Sequence, residues 1–344
     1  MSKVLDTATS PALSSSIPAG YEKRLMITAG RASLELGGKI AGKLGVELTD
    51  AGLKTFADGE VYCRYAESIR GADLFIVQSI SGSEREGLTI NDALWELLLM
   101  IDAAKHASAH RIVAVSPWYG YSRQDKKSAP REPISARLVA NVLETAGIDR
   151  LVTMDLHAGQ IQGFFSKPVD HMTAMPILTQ FVIDRLGDQE LVIIAPDAGR
   201  VKLVRKFAQK VGAPYALMEK ERPAQQVAEI GYVIGDVKGK TAVIVDDIIG
   251  TGSTLSAAAQ TVLDEGAERV FAVATHGLFS GNAFEILESG PLSGIVVTDT
   301  VPLGAGAPGL ITQLSCADIL EDSIRRIFTD DSVSEIFAGE NQLF

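Results

Sequence analysis

The sequence predicts an α/β protein of two similar domains, each a mainly parallel sheet flanked by helices. Strand-sized apolar runs, such as 191–195 and 242–245, alternate along the chain with segments of helical spacing. Strands joined through helices run parallel and are covered on both faces. The alternation occurs as two successive series, with a boundary expected near residues 165–175, and 344 residues suit two domains.

In the first series, strands are expected at 24–28, 73–78, 111–116 and 151–154. Helices are expected at 33–44, where Leu34, Ile40, Ala41 and Leu44 share a face, and at 91–107 and 134–146. In the second series, strands are expected at 191–195, 241–245, 270–275 and 294–298, with helices at 175–185, 201–211, 255–265 and 283–288. The expected organisation is a disordered tail over 1–20, a first domain over 21–170 and a second over 171–330. A final segment, 314–344, is expected to pack back on the first domain. The tail is rich in Ser, Ala, Thr and Pro and lacks the apolar centre of a signal peptide.

Composition excludes several classes. The chain is 46% hydrophobic and 22% charged, ample for two cores. No apolar run approaches the roughly 18 residues of a membrane-spanning helix, so no membrane partner is expected. A net charge of −11 argues against nucleic acid as a partner. Two cysteines, Cys63 and Cys316, make neither a disulfide framework nor a zinc cluster, which fits a cytoplasmic protein. Anionic ligands would need local basic clusters. Residues 119–131 hold Arg123, Lys126, Lys127 and Arg131, and residues 200–222 hold seven Lys or Arg.

The most informative stretch is Val243-Ile244-Val245-Asp246-Asp247-Ile248-Ile249-Gly250-Thr251-Gly252-Ser253-Thr254. A buried strand delivers two carboxylates to its carboxyl end, the edge where open α/β sheets bind ligands. The loop after it can turn backbone N–H groups and the Thr251, Ser253 and Thr254 hydroxyls onto a phosphate, and a helix start adds partial positive charge. The acids then face sugar hydroxyls or a divalent metal, so a sugar phosphate suits all three parts. The usual nucleotide P-loop is excluded, because no Gly-Lys-Thr/Ser follows the glycines.

Other segments carry weaker signals. Phe56-Ala57-Asp58-Gly59-Glu60 is a turn with two acids around a glycine. In the 119–127 segment, aromatics beside Arg123-Gln124 suit a base-plus-phosphate ligand. Met154-Asp155-Leu156-His157 and Ala195-Pro196-Asp197-Ala198-Gly199 each place acids at a strand end, and His157 and Asp197 suit one magnesium that keeps most of its waters. Glu219-Lys220-Glu221-Arg222-Pro223 lies between two elements, as surface charges or as a mobile clamp over a transferring phosphoryl group.

Together these segments resemble the ribose-phosphate diphosphokinase family, also called phosphoribosyl-diphosphate synthetases, which has a type I phosphoribosyltransferase-like fold in both domains. The resemblance spans about residues 24–337 and includes Ser68-Ile69-Arg70-Gly71, Gln160-Ile161-Gln162-Gly163-Phe164-Phe165 and Thr275-His276-Gly277. It implies transfer of the β,γ-diphosphoryl group of Mg-ATP to the anomeric hydroxyl of ribose 5-phosphate, with AMP leaving. By the same resemblance, Asp246, Asp247, Gly250, Thr251, Gly252, Ser253 and Thr254, with Arg222, hold ribose 5-phosphate. Lys220 and Arg222 neutralise the transition state. Arg123 and Gln124 hold ATP, with Phe56, Asp58, Gly59 and Glu60 reaching the adenine from a neighbouring subunit. His157 and Asp197 form the Mg²⁺ site, and a homo-oligomer, a hexamer of dimers, is implied.

The chain departs from the family pattern at Gly250, in place of an Asp, and at Arg200, in place of a Gly, expected to put a cation near the nucleotide side. Ser166 replaces an acid, and the 79–90 loop is longer. A non-catalytic regulatory subunit and a plain phosphoribosyltransferase are the alternatives. The second leaves the 119–127 segment and the first domain without a role.

Overall fold

The computed structural model describes residues 23–221 and 230–337. The first half contributes β1 (Arg24–Ala29), α1 (Leu34–Leu44), β2 (Leu48–Thr49), β3 (Lys54–Thr55), β4 (Val61–Tyr62), β5 (Ala72–Val77), α2 (Ile90–His106), β6 (Arg111–Val115), α3 (Ser135–Ala146), β7 (Arg150–Met154) and β8 (Val169–Met172). Five parallel pairings give a six-stranded sheet in the order β2-β1-β5-β6-β7-β8. β5 is buried along its whole length, as a strand covered on both faces must be. Helix α2 begins with a reciprocal cap. The Thr89 hydroxyl accepts from the Asp92 N–H at 3.3 Å, and the Asp92 carboxylate accepts from the Thr89 N–H at 2.8 Å.

The second half contributes α4 (Met175–Leu186), β9 (Leu191–Ala195), α5 (Val201–Val211), β10 (Tyr215–Glu221), β11 (Ile230–Ile234), β12 (Thr241–Ile249), α6 (Ser253–Asp264), β13 (Arg269–Gly277), α7 (Ala283–Glu288), β14 (Gly294–Thr298), β15 (Ile311–Leu314) and α8 (Ala317–Thr329). Its sheet runs β11-β10-β9-β12-β13-β14-β15, parallel except where β10 and β11 pair antiparallel. From β9 the chain goes out to β10 on one side and returns to β12 on the other. The carboxyl ends of β9 and β12 therefore diverge, making the crevice in which α/β sheets bind ligands.

The expected strands and helices are present, with bounds shifted by a residue or two in most cases. Three differences matter. β12 continues to Ile249 instead of stopping at Val245, because β13 stays beside it and pairs Asp246 with Ala274 and Ile248 with His276. Helix α6 starts two residues earlier than expected, at Ser253. Glu219, Lys220 and Glu221 lie in β10, paired with Tyr232, Gly231 and Ile230, and not in an open loop. The two-residue strands β2, β3 and β4, and also β8, β10, β11 and β15, escaped the sequence, since each lacks the continuous apolar run that marked the others.

One apolar layer joins the halves. Ile27, Phe75 and Val113 of the first sheet share a cluster with Val182 of α4, Ile193, Val243 and Val273 of the second sheet, and Leu320, Ile324 and Ile327 of α8. Helix α8 lies against α1, and Lys43 pairs with Asp318 at 2.5 Å across the contact. Both cysteines are free. Among the described residues, no helix is long and apolar enough to cross a membrane.

Candidate active site

β12 outruns β9. Ile244 is the last β12 residue paired to β9, opposite Ile194, so Asp246 and Asp247 extend past the end of their neighbour. There they border a cleft of about 330 Å³ with Arg123, His157, Asp197, Arg200 and the turn that holds Gly250, Thr251, Gly252 and Thr254. Three strands supply the crevice. Asp197 follows β9, the acid pair belongs to β12, and His157 arrives from the first half, just after β7.

The turn after β12 has the form a phosphate needs. Gly252 caps α6 with φ at +77°, a left-handed conformation that L side chains adopt at a cost. A Cβ there would also sit 2.8 Å from the Leu287 side chain. The free N–H groups of the first turn of α6 open onto the loop, and the Thr251 and Ser253 hydroxyls lie 2.9 Å apart. At Gly250 a Cβ would lie 3.7 Å from the Arg123 guanidinium, an ordinary contact, so the loop passes close to Arg123 there.

The acids differ in environment. Both acids line the cleft, but the Asp247 side chain is 7% exposed and that of Asp246 31%, so Asp246 is the more accessible of the two. His157 Nδ1 lies 2.8 Å from Asp247 Oδ2, and Arg200 bridges the pair, with Nε 3.0 Å from Asp246 and a terminal nitrogen 2.8 Å from Asp247. The same terminal nitrogen lies 3.0 Å from His157 Nδ1. Nδ1 cannot donate to the carboxylate and accept from the guanidinium at once. The carboxylate only accepts, so the hydrogen on Nδ1 points to Asp247. Burial opposes the Asp247 anion, but the His157 hydrogen bond and the Arg200 cation outweigh it and hold its carboxyl below the usual range. Burial and the neighbouring Asp247 push Asp246 up, and the Arg200 cation opposes them by favouring its anion.

Arg200, expected near the nucleotide side, lines the same cleft as Arg123 and reaches both the acid pair and His157. Its own backbone explains the direction. Asp197 caps the tight turn Ala198–Arg200 by accepting from the Arg200 N–H at 3.2 Å, and this turn feeds α5. Beneath the site, Asp155 is buried and accepts from the Thr275 hydroxyl at 2.6 Å and the Ala174 N–H at 2.9 Å. Thr275 was marked in the sequence only through the Thr275-His276-Gly277 match, and the depth of Asp155 had no sequence signal.

The residues fit a magnesium ion only in part. His157 and Asp197 share the cleft and offer one ring nitrogen and one carboxylate. Among the described residues, no group of three or more His, Cys, Asp or Glu is arranged to hold a metal. That donor set suits an ion that arrives on nucleotide phosphates and keeps water, not a dedicated protein cage.

The remaining candidates lie outside this cleft. Gln124 borders a neighbouring cavity of about 480 Å³ with Trp118, Tyr121, Phe279 and Phe284, and Arg123 borders both cavities. Phe56, Asp58, Gly59 and Glu60 stand on the exposed β3–β4 hairpin, where Phe56 meets Tyr62 edge-on at 5.8 Å. The hairpin base is tied down by Arg31, which donates to Thr55 Oγ1 at 2.8 Å and pairs with the fully buried Glu96. Lys220 is placed by its backbone in β10, and Arg222 lies outside the described residues, as do residues 1–22 and 338–344.

Comparison with known proteins meets this geometry. Residues 25–147 match the family model of the N-terminal domain of ribose phosphate pyrophosphokinase, and residues 191–338 match that of the phosphoribosyl synthetase-associated domain. The ribose-phosphate pyrophosphokinase of Caldanaerobacter subterraneus subsp. tengcongensis is 46% identical over 321 residues, which covers 93% of this chain and 99% of that protein. The one from Streptomyces avermitilis is 46% identical over 320 residues, 92% of this chain and 97% of that protein. The crystal structure of phosphoribosylpyrophosphate synthetase from Mycobacterium smegmatis superposes with a TM-score of 0.83 at 43% identity, covering 90% of this chain and all of that one. With both family domains present in order and near-complete coverage on each side, the chain belongs to the ribose-phosphate pyrophosphokinase family.

Proposed function

We propose that this protein transfers the β,γ-diphosphoryl group of Mg-ATP to the anomeric hydroxyl of ribose 5-phosphate, giving 5-phosphoribosyl 1-diphosphate and AMP. The observation that carries the reading is the cleft itself. An acid pair and a phosphate-ready turn from the second half meet a histidine and an arginine from the first, in a chain collinear with pyrophosphokinases of this name.

In this reading the turn Gly250–Thr254 and the start of α6 take the 5-phosphate through backbone N–H groups and the hydroxyls of Thr251, Ser253 and Thr254. Asp246 accepts from the ribose hydroxyls, and Asp247 holds His157 and Arg200 in place from behind. These contacts fix the sugar so that its anomeric oxygen points along the cleft, which is the largest part of the catalytic problem in phosphoryl transfer. Arg123 and Gln124 hold the nucleotide phosphates. Lys220 and Arg222 neutralise charge that spreads over the transferring oxygens. His157 and the Asp197 carboxylate would hold a Mg²⁺, which when bound would supply further charge neutralisation. The exposed hairpin bearing Phe56, Asp58, Gly59 and Glu60 completes the adenine site of a neighbouring subunit, so the active form is a homo-oligomer, a hexamer of dimers, working in the cytoplasm.

The test is AMP formation from ATP, Mg²⁺ and ribose 5-phosphate, followed by chromatography. AMP should appear only when the sugar phosphate is present, and Lys220→Ala should lower kcat by at least about 100-fold while ATP still binds. No AMP at saturating substrates would sink the proposal. Light scattering reads the assembly size on the same sample.

A further inference from the structure

The geometry points to Arg200 as an internal counter-ion that occupies the sugar side of the acid pair in the free site and must release Asp246 when the ribose hydroxyls bind. This deepens the sugar-site reading above and rests on it.

Arg200 bridges both acids, at 3.0 Å to Asp246 and 2.8 Å to Asp247, and its side chain is only 16% exposed. The two contacts are not equivalent. Asp247 is deeply buried and also held by His157, so its link to Arg200 is part of the scaffold. Asp246 is the more exposed of the two acids that line the cleft. Two ribose hydroxyls donating to Asp246 need both carboxylate oxygens, and Arg200 Nε now holds Oδ1. The same oxygen also accepts the Asp247 N–H at 2.8 Å, so its lone pairs are already engaged. Sugar and guanidinium therefore compete for one acceptor. The competition is local, because Arg200 keeps Asp247 as a partner after it lets Asp246 go. Its backbone is held by the Asp197 cap throughout. The consequence is a sugar affinity set below what the acids and the phosphate turn alone would give.

The test is calorimetric titration of ribose 5-phosphate into the full-length protein carrying Mg²⁺ and a non-transferable ATP analogue, for wild type and Arg200→Met. Methionine keeps most of the aliphatic stem and removes the charge. The variant should bind the sugar phosphate about tenfold more tightly, the equilibrium equivalent of one charge-assisted contact that binding no longer breaks. Structural damage can only weaken binding, so tightening separates competition from a scaffold role. Arg200→Lys, which keeps charge but loses the two-pronged reach, should fall between the two. Equal or weaker binding by Arg200→Met, in a protein whose wild type binds the sugar phosphate and forms AMP, overturns the inference and leaves the function standing. Failure of wild type and variant alike to bind ribose 5-phosphate overturns the sugar-site reading, and the inference with it.

Discussion

At the scale of residues, the site is a chain of unequal carboxylates. Asp247 holds His157 and Arg200 at once, and at 7% exposure it cannot be replaced by water. Asp247→Asn keeps the shape, removes the charge and frees both partners to reorient. A fall of about 10- to 100-fold in kcat/KM is expected from steady-state AMP formation, the usual cost of losing a group that orients a ligating histidine. A second buried residue sets the acid limit of the fold. His171 accepts the Leu156 N–H at 2.8 Å through Nε2, and burial, with His276 nearby, pushes it down to about 4. Below pH 6.5 the unfolded chain takes up a proton that the folded one refuses until about 4. Stability from this residue is therefore complete above 6.5 and declines as pH falls toward 4. Asp155, raised to about 6 by burial, works in the opposite sense over the acid range, so the comparison must be made between variants. In chemical denaturation, His171→Asn should lose about 2 kcal/mol less than wild type between pH 7 and pH 5.

At the scale of elements, two features decide where the chemistry sits. One is the length of β12. Its last residues have β13 but not β9 beside them, so the acids remain in a strand yet open onto the crevice. The other is the left-handed turn at Gly252, which lets the chain pass from strand to helix within a few residues. Gly252→Ala would force a side chain into that conformation and against Leu287. A stability loss of about 1–2 kcal/mol is expected. The KM for ribose 5-phosphate should rise more than the KM for ATP, because the distorted turn is on the sugar side. Equal changes in both would place the turn elsewhere in the reaction.

At the scale of the whole molecule, the two sheets are not independent. They share the apolar layer that contains α4 and α8, and α8 closes it by returning to α1. Ile324, fully buried in that layer, touches neither ligand cleft. Ile324→Ala should cost roughly 2–5 kcal/mol by opening a cavity, and calorimetry should still show one transition, with both halves unfolding together. Two separated transitions would show that the shared layer does not couple them. Coupling also matters for catalysis, since His157 and Arg123 come from one half and the acid pair from the other.

Much of this was legible in the sequence. Apolar runs and helical spacing located the main strands and helices, because those patterns report burial directly, and burial is what a strand between two helical layers requires. The acid pair and the small-residue loop announced a sugar-phosphate site, because close backbone approach to a phosphate restricts the residues that fit. His157 and Asp197 were marked by their places at strand ends and Arg123 by the aromatics beside it, and the cleft gathers all three. Arg200 was visible as a departure, but not its destination. A long flexible side chain can reach many partners, and only the cap at Asp197 and the end of β9 select the acids. Strands β2, β3, β4, β8, β10, β11 and β15 were equally hidden, because their neighbours, more than their own residues, make them strands. Local chemistry set which groups are present and which elements carry them. The distances between halves, the inequality of the two aspartates and the competition at Asp246 arise from packing, which brings together residues far apart in the chain.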